Sequence, residues 1–370
     1  MIDKIKLLAM YLPQYHEIPE NNTFWGKGFT DWTTVKNAKQ YYKNIRQPKI
    51  PLNNNYYDLS KSENIKWQVN LAQEYGIDGF VFYHYWFSSN KQLLQIPAEL
   101  FLADKTLNIK FCFCWDNEPW KRTWDEHEGN AWSPLMDSKI LNKDKRILVE
   151  FDYEKECGWK KHFNYLLQFF NDPRYIKINN KPVFMYCNYY KKEELKEMSI
   201  FFNEYAKQFG FEGICFIAHY SDVIPNDISD YTYFYQPHFA AWERCAFIPR
   251  IFDRLKTLHK NRTKPIMYNY ERVWRRIIFL AKKYKDQKFL YGAFVNYDDS
   301  PRRGAKGKCI YGKNVNIFKK YMQQLIDISK KNQKEYIFLT AWNEWGEGAF
   351  LEPDIDDGYK FLEAIKDLKK

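Results

Sequence analysis

Eight short apolar or aromatic runs recur along the chain, each closing on polar and aromatic residues and each followed by enough sequence for a helix. They begin KLLAMYLP at Lys6, GFVFYHYW at Gly79, KFCFCWDNEPW at Lys110 and PVFMYCNYY at Pro182. The rest are ICFIAHY at Ile214, YTYFYQPH at Tyr231, GAFVNYDD at Gly292 and YIFLTAWNEW at Tyr336, the sixth being the weakest. Between them lie segments such as ENIKWQVNLAQEYG and EELKEMSIFFNEYAKQFG, where apolar residues recur three and four apart and a glycine marks the stop. Strands alternating with helices imply a parallel sheet with right-handed crossovers, and eight is the number that closes a barrel. An open doubly wound sheet would carry a glycine-rich loop after its first strand, and LAMYLPQYHEIPENN has none. The expected fold is therefore α/β, a (β/α)8 barrel spanning residues 1–370 with elaborated loops on its C-terminal face.

A chain of 370 residues is within reach of such a barrel with insertions. Phe, Trp and Tyr make up 19% of the residues, more than packing requires, so aromatic platforms are expected at the surface. Sugars and nucleobases both stack on such side chains. The net charge of +11 would favour a nucleic acid if the basic residues formed one stripe with a binding motif. None is present, and no nucleic-acid partner is expected. The densest basic region, Arg244 to Lys285, includes WRRIIFLAKKYK, which reads as an amphipathic helix on the outside of the fold. Peripheral contact with an anionic membrane is the alternative for that stretch.

Seven scattered cysteines point to free thiols in a reducing compartment, with Cys112 and Cys114 as core residues of one strand. The first residues lack the features of a signal peptide, and no run approaches a membrane span, so a soluble, cytoplasmic location is expected.

In a barrel the C-terminal strand ends converge, so residues just after each run should share one site. The first run supplies Tyr11, Gln14, Tyr15 and His16, the second Tyr83, His84, Tyr85 and Trp86, and the third Trp115, Asp116, Asn117, Glu118 and Trp120. Later runs supply Tyr186, Asn188, His219, Tyr220, Gln236 and His238, then Asn296, Asp298 and Asp299. The eighth gives Trp342, Asn343, Glu344, Trp345 and Glu347. His84 and His16, among tyrosines, suit sugar hydroxyls better than a metal, whereas His162 and His259 read as ordinary helix residues. Asp298 and Asp299 could hold a divalent ion, but the adjacent SPRRG suggests ion pairing. No metal or other cofactor is expected.

Making or breaking a glycosidic bond takes one carboxyl group that exchanges a proton with the bridging oxygen and a second that serves the other side of the sugar. Glu344 and Glu347 are three apart, with glycines at 346 and 348 that allow a tight fold. Two carboxylates so close would push their proton affinities apart and keep one protonated. Glu118 is a further candidate, and Glu352 reads as a loop residue or a hydrogen-bond acceptor.

The segments MYLPQYHEIPENNTFWGKGFTDW, GIDGFVFYHYWF, FCWDNEPW, DDSPRRG and TAWNEWGEGAFLEPD together resemble the motifs of the WbsX-like branch of the glycoside hydrolase family 99 group, found in bacterial polysaccharide gene clusters. The resemblance covers nearly the whole chain and adds Trp25 to the candidate sugar contacts. It implies a (β/α)8 barrel, retention of anomeric configuration, and α-mannoside substrates in the hydrolases proper. The partner it implies is an oligosaccharide or polysaccharide of the cell surface, including a lipid-linked one. The hydrolases' NEWxEG motif matches Asn343 to Gly348. Glu344 would then be the base that draws the proton from the sugar 2-hydroxyl, and Glu347 the general acid that later acts as base. This chain has Gly346 where the hydrolases carry a histidine. Members of the branch are described as glycosyltransferases as well as hydrolases, and a catalytically silent glycan-binding barrel is the reading from another class.

Overall fold

The structure, a computed structural model, describes residues 4–121, 147–219, 228–243 and 262–370. Tyr220, His259 and the 244–261 part of the basic region lie outside them.

Eight parallel strands form the barrel: β1 (Lys6–Tyr11), β2 (Gly79–Ser88), β3 (Lys110–Trp115), β4 (Lys181–Tyr186), β5 (Cys215–His219), β6 (Tyr231–Tyr233), β7 (Phe289–Phe294) and β8 (Tyr336–Thr340). The ring closes because β1 pairs with both neighbours, Leu8 opposite Gly79 on β2 and Leu8 opposite Phe338 on β8. Each expected run yields a strand, and the weakest yields the shortest. The runs were legible because barrel strands are covered on both faces, which demands unbroken apolar sequence. In β8 all five residues are buried, and in β1 all but Lys6.

The expected helices form around the strands. Helix α1 (Ser62–Glu74) follows β1, α2 (Ile96–Ala103) follows β2, α3 (Glu156–Phe170) precedes β4, and α4 (Lys192–Lys207) precedes β5. Gly76 and Gly210, just beyond α1 and α4, take φ of 85° and 83°, the left-handed conformation that stops a helix at little cost in glycine. The WRRIIFLAKKYK stretch lies mostly on α5 (Tyr270–Lys283), whose start is capped by Asn269 accepting from the Arg272 backbone N–H. Trp274, Ile277, Ile278 and Ala281 turn inward, packing α5 beside α6 (Val315–Lys331). Its basic residues lie on the outer face with Phe279, which is 54% exposed. Helix α7 (Lys360–Lys369) follows β8. Among the described residues no helix is long and apolar enough to cross a membrane.

Cys112 and Cys114 are buried on β3 as free thiols, with the Cys114 Sγ 3.5 Å from that of Cys187. Loops at the C-terminal face carry small elements: helix Asp31–Lys36, helix Ser300–Arg303, a parallel pair of strands Ile266–Asn269 and Lys308–Tyr311, and an antiparallel pair Asn343–Glu344 and Ala349–Phe350.

Candidate active site

Beyond β8 the chain turns back on itself within a few residues. Asn343 and Glu344 pair with Phe350 and Ala349, and Gly348 closes the turn at φ 57°. Asn343 does not reach for a ligand. Its amide oxygen accepts from the Leu12 backbone N–H at 2.7 Å while its amide nitrogen donates to the Leu12 carbonyl at 3.0 Å, which ties the turn to the loop after β1. The Tyr15 hydroxyl adds a second tie, donating to the Asn343 carbonyl at 2.5 Å and accepting from the Trp345 backbone N–H at 3.0 Å.

This turn aims Glu344 and Glu347 at one guanidinium. Arg302, on the short helix after β7, donates from one terminal nitrogen to Glu344 at 2.5 Å and from the other to Glu347 at 3.0 Å. The nitrogen that serves Glu344 also lies 3.3 Å from Asp31. The side chains of Arg302, Asp31 and Glu344 are 8%, 2% and 6% exposed, and that of Glu347 is 19% exposed. Gly346 is what lets the guanidinium in. A Cβ there would sit 2.6 Å from both Arg302 Nε and Asp31 Oδ2. Arg302 thus fills the space that a histidine at position 346 would need.

Burial pushes Glu344 well above the usual carboxylate range, with Arg302 opposing and the neighbouring Glu347 charge adding to it. Glu347 is raised by burial as well, against Arg302. Desolvation also works against the Arg302 charge, yet three acids surround it and hold it protonated. Two glutamates held to one cation away from water thus favour retaining a proton.

The two glutamates border a cleft of about 200 Å³ on the C-terminal face. Tyr83 and Tyr85 of β2, Asp116 and Glu118 beyond β3, and Asn188 beyond β4 form one side. His219 of β5, Tyr235 and His238 beyond β6, and Arg303 close the other. Burial raises Glu118 above its ordinary value and lowers His219 to about 4, so that imidazole is neutral near pH 7. His238 is likewise held neutral by burial and nearby cations.

Of the residues singled out from sequence, Tyr83, Tyr85, Asp116, Glu118, Asn188, His219, His238, Glu344 and Glu347 line this cleft. The others sit elsewhere. His84 and Trp86 point away from it toward α3, where His84 Nε2 lies 2.9 Å from His162 Nε2 and Trp86 stacks on His162 at 4.5 Å. Tyr11 donates to Gln68 on α1, and Gln68 donates to Glu352, which also accepts from Tyr57 and from the Trp345 indole. Trp345 stacks on Phe350 at 3.7 Å and Trp342 packs on Phe80, so both tryptophans support the turn from beneath. Trp115 donates to the Trp86 carbonyl, Trp120 packs on Phe87, and Trp25 lies over Phe29. Asn117 clamps the loop of Asn188, donating to its carbonyl at 2.6 Å and accepting from its backbone N–H at 2.9 Å. Gln14 and His16 are buried in the loop after β1, and the Gln14 carbonyl accepts from the Asp31 backbone N–H. Asn296 lines a different cavity.

Arg302 and Asp31 were missed. The ion pairing expected of SPRRG with Asp298 and Asp299 is made by Arg303, 3.3 Å from Asp299. Asp298 accepts from Gln47 and from the Ser300 backbone N–H. Among the described residues no three His, Cys, Asp or Glu side chains come together as metal ligands.

A family model described as Glycosyltransferase WbsX matches residues 7–365. The chain belongs to the WbsX family. Curated relatives in two strains of Xanthomonas campestris pv. campestris, each described as uncharacterized protein WxcX, are 27% identical over 97% of this chain. The chain spans about half the length of these relatives, 49%. Among solved structures, the GH99 endo-α-mannosidase from Bacteroides thetaiotaomicron superposes with a TM-score of 0.55 at 14% identity, covering 98% of this chain and 96% of that one. A glycoside hydrolase-like protein gives a TM-score of 0.57 at 13% identity, covering 100% and 95%. At such identities the likeness establishes the fold, a barrel shared between this WbsX-family chain and those proteins.

Proposed function

We propose that this barrel is a carbohydrate-active enzyme of bacterial surface polysaccharide assembly, a retaining enzyme of the endo-α-mannosidase type that works through Glu344 and Glu347. The observation that carries the reading is that one buried guanidinium, Arg302, holds both carboxyl groups at the edge of a cleft on the C-terminal face. Glycosidic chemistry asks for two such groups around one sugar.

In this mechanism the pair holds one proton, on Glu347 when the sugar binds, and Glu344, kept as a carboxylate by its ion pair with Arg302 against the effect of burial, takes the proton of the sugar 2-hydroxyl. The freed oxygen attacks the anomeric carbon, and the bond to the leaving oxygen breaks as Glu347 protonates it. Ionised Glu347 then draws a proton from an incoming hydroxyl, whose oxygen opens the anhydro ring, and Glu344 returns its proton to O2. Two inversions give net retention. Arg302 offsets negative charge on whichever glutamate is ionised at each stage. Tyr83, Tyr85, His219 and Glu118 offer contacts for the sugar's hydroxyls and apolar face.

A second reading differs only in the incoming hydroxyl, which would belong to an acceptor sugar, free or lipid-linked, and not to water. The family's description as a glycosyltransferase favours it. Either chemistry fits a cytoplasmic enzyme acting on a precursor. The test is fluoride release from α-mannosyl fluoride with and without manno-oligosaccharide acceptors, the first-formed product being assigned by NMR. The expected product is α-configured, with Glu344→Gln and Glu347→Gln each lowering the rate by about 1000-fold or more while the fold persists. A near-normal rate in either variant overturns the assignment.

A further inference from the structure

A second cavity, of about 640 Å³, lies outside the cleft and is joined to it through one stretch of chain. Asn296, just beyond β7, lines this cavity, whereas Arg302 and Arg303, a few residues on, line the cleft. The walls have the make-up of a sugar site. Tyr311, 41% exposed, and Met267, 39% exposed, come from the two-stranded parallel sheet and present flat apolar surface to solvent. Asn296 is only 7% exposed, and its amide oxygen has no donor among the described residues. A buried acceptor on a residue that lines a cavity calls for a donor from a ligand or from water.

The charge of the walls narrows the ligand. Four cationic side chains, Lys43, Arg46, Lys49 and Lys313, face two carboxylates, Asp356 and Asp357. Asp356 is shared by Lys49 at 2.9 Å and Arg46 at 3.2 Å, and Lys313 pairs with Asp357. Among the lining side chains the acids fix the cations in place and leave a positive surplus, which Asp354, behind Lys49 and Lys313, offsets in part; the Lys49 side chain is only 7% exposed. A neutral hexose would use the Asn296 oxygen and the Tyr311 face but leave that surplus unmatched. An anionic substituent would complete it.

We propose that this cavity binds a sugar residue bearing an anionic group, carboxylate or phosphoryl, belonging to the glycan whose bond is worked on in the cleft. The proposal rests on the carbohydrate reading for its ligand class, but its test does not pass through turnover. Binding of D-mannose, D-mannuronate and mannose 6-phosphate to the full chain is compared by NMR titration in the Glu344→Gln/Glu347→Gln background. One or both anionic sugars bind about tenfold tighter than mannose, and which one does so tells carboxylate from phosphoryl. Added salt weakens that binding. Asn296→Asp, which sets a negative charge in the wall, and Tyr311→Ala, at an exposed position, each weaken it by about the same factor. Equal affinity for the three sugars, no binding of any, or indifference to both substitutions overturns the proposal. Activity lost in the glutamate variants together with a failed titration leaves the cleft reading standing, and the converse result leaves only this one.

Discussion

Replacing Gly346 with alanine tests whether Arg302 is held where the two glutamates need it. Gly346 is not at a positive φ, so its backbone accepts an L residue and any cost comes from space. The new methyl would meet Arg302 Nε and Asp31 Oδ2 at 2.6 Å and Arg302 Cζ at 3.0 Å. Ordinary contacts begin near 3.5 Å, so these atoms must retreat by about 1 Å. A free arginine tip would swing aside, but this one is held by Glu344 at 2.5 Å and Glu347 at 3.0 Å. Overpacking of this kind costs about 1–3 kcal/mol. At about 2 °C per kcal/mol for a long chain, the melting temperature should fall by about 2–6 °C. A displacement near 1 Å in a positioned site should also slow turnover by about 100-fold. Differential scanning fluorimetry and fluoride release measure the two effects. Arg302→Ala removes one of the two obstacles, leaving Asp31, so the double variant should lose less stability than the two single variants summed. A Gly346→Ala protein with unchanged melting and unchanged rate would refute the idea that the guanidinium is fixed against this glycine.

Tyr15→Phe should cost about 1–3 kcal/mol, because it leaves the Asn343 carbonyl and the Trp345 N–H without a partner under the turn that carries Glu344 and Glu347. Denaturant titration would show it, and an unchanged midpoint would contradict the tie. The buried imidazole pair predicts a pH effect. Burial lowers His84 to about 3 and His162 well below its ordinary value, so both are neutral in the fold but protonated below about pH 6.5 when unfolded. Their contribution is therefore intact above pH 6.5 and lost as pH falls, at about 1.4 kcal/mol per pH unit for each group. Replacing both with phenylalanine should leave the variant gaining on the parent as the pH is lowered from 7 to 5. Parallel stability curves would count against it.

Much of this was legible in the chain. The eight runs stood out because strands covered on both faces cannot alternate with polar residues, and Glu344 and Glu347 stood out because they share one short turn. What failed was the direction of side chains at strand ends. Along β2 successive residues alternate, so Tyr83 and Tyr85 face the cleft while His84 and Trp86 face α3. Grouping all four together ignored that period of two. Trp342 and Trp345 looked like platforms but are buried beneath the turn. Arg302 could not be matched to Glu344 from sequence, since 42 residues separate them and the pairing of β7 with β8 brings them together.

The clasp between Asn343 and Leu12 spans 331 residues and joins the first strand's exit to the last strand's. A ribosome-bound chain that has not yet delivered its eighth strand therefore has neither carboxyl group of the pair nor the partner that steadies Leu12. On the proposed chemistry, competence would arrive only with the final stitch of the ring, and a half-made copy would have no means of working on a sugar.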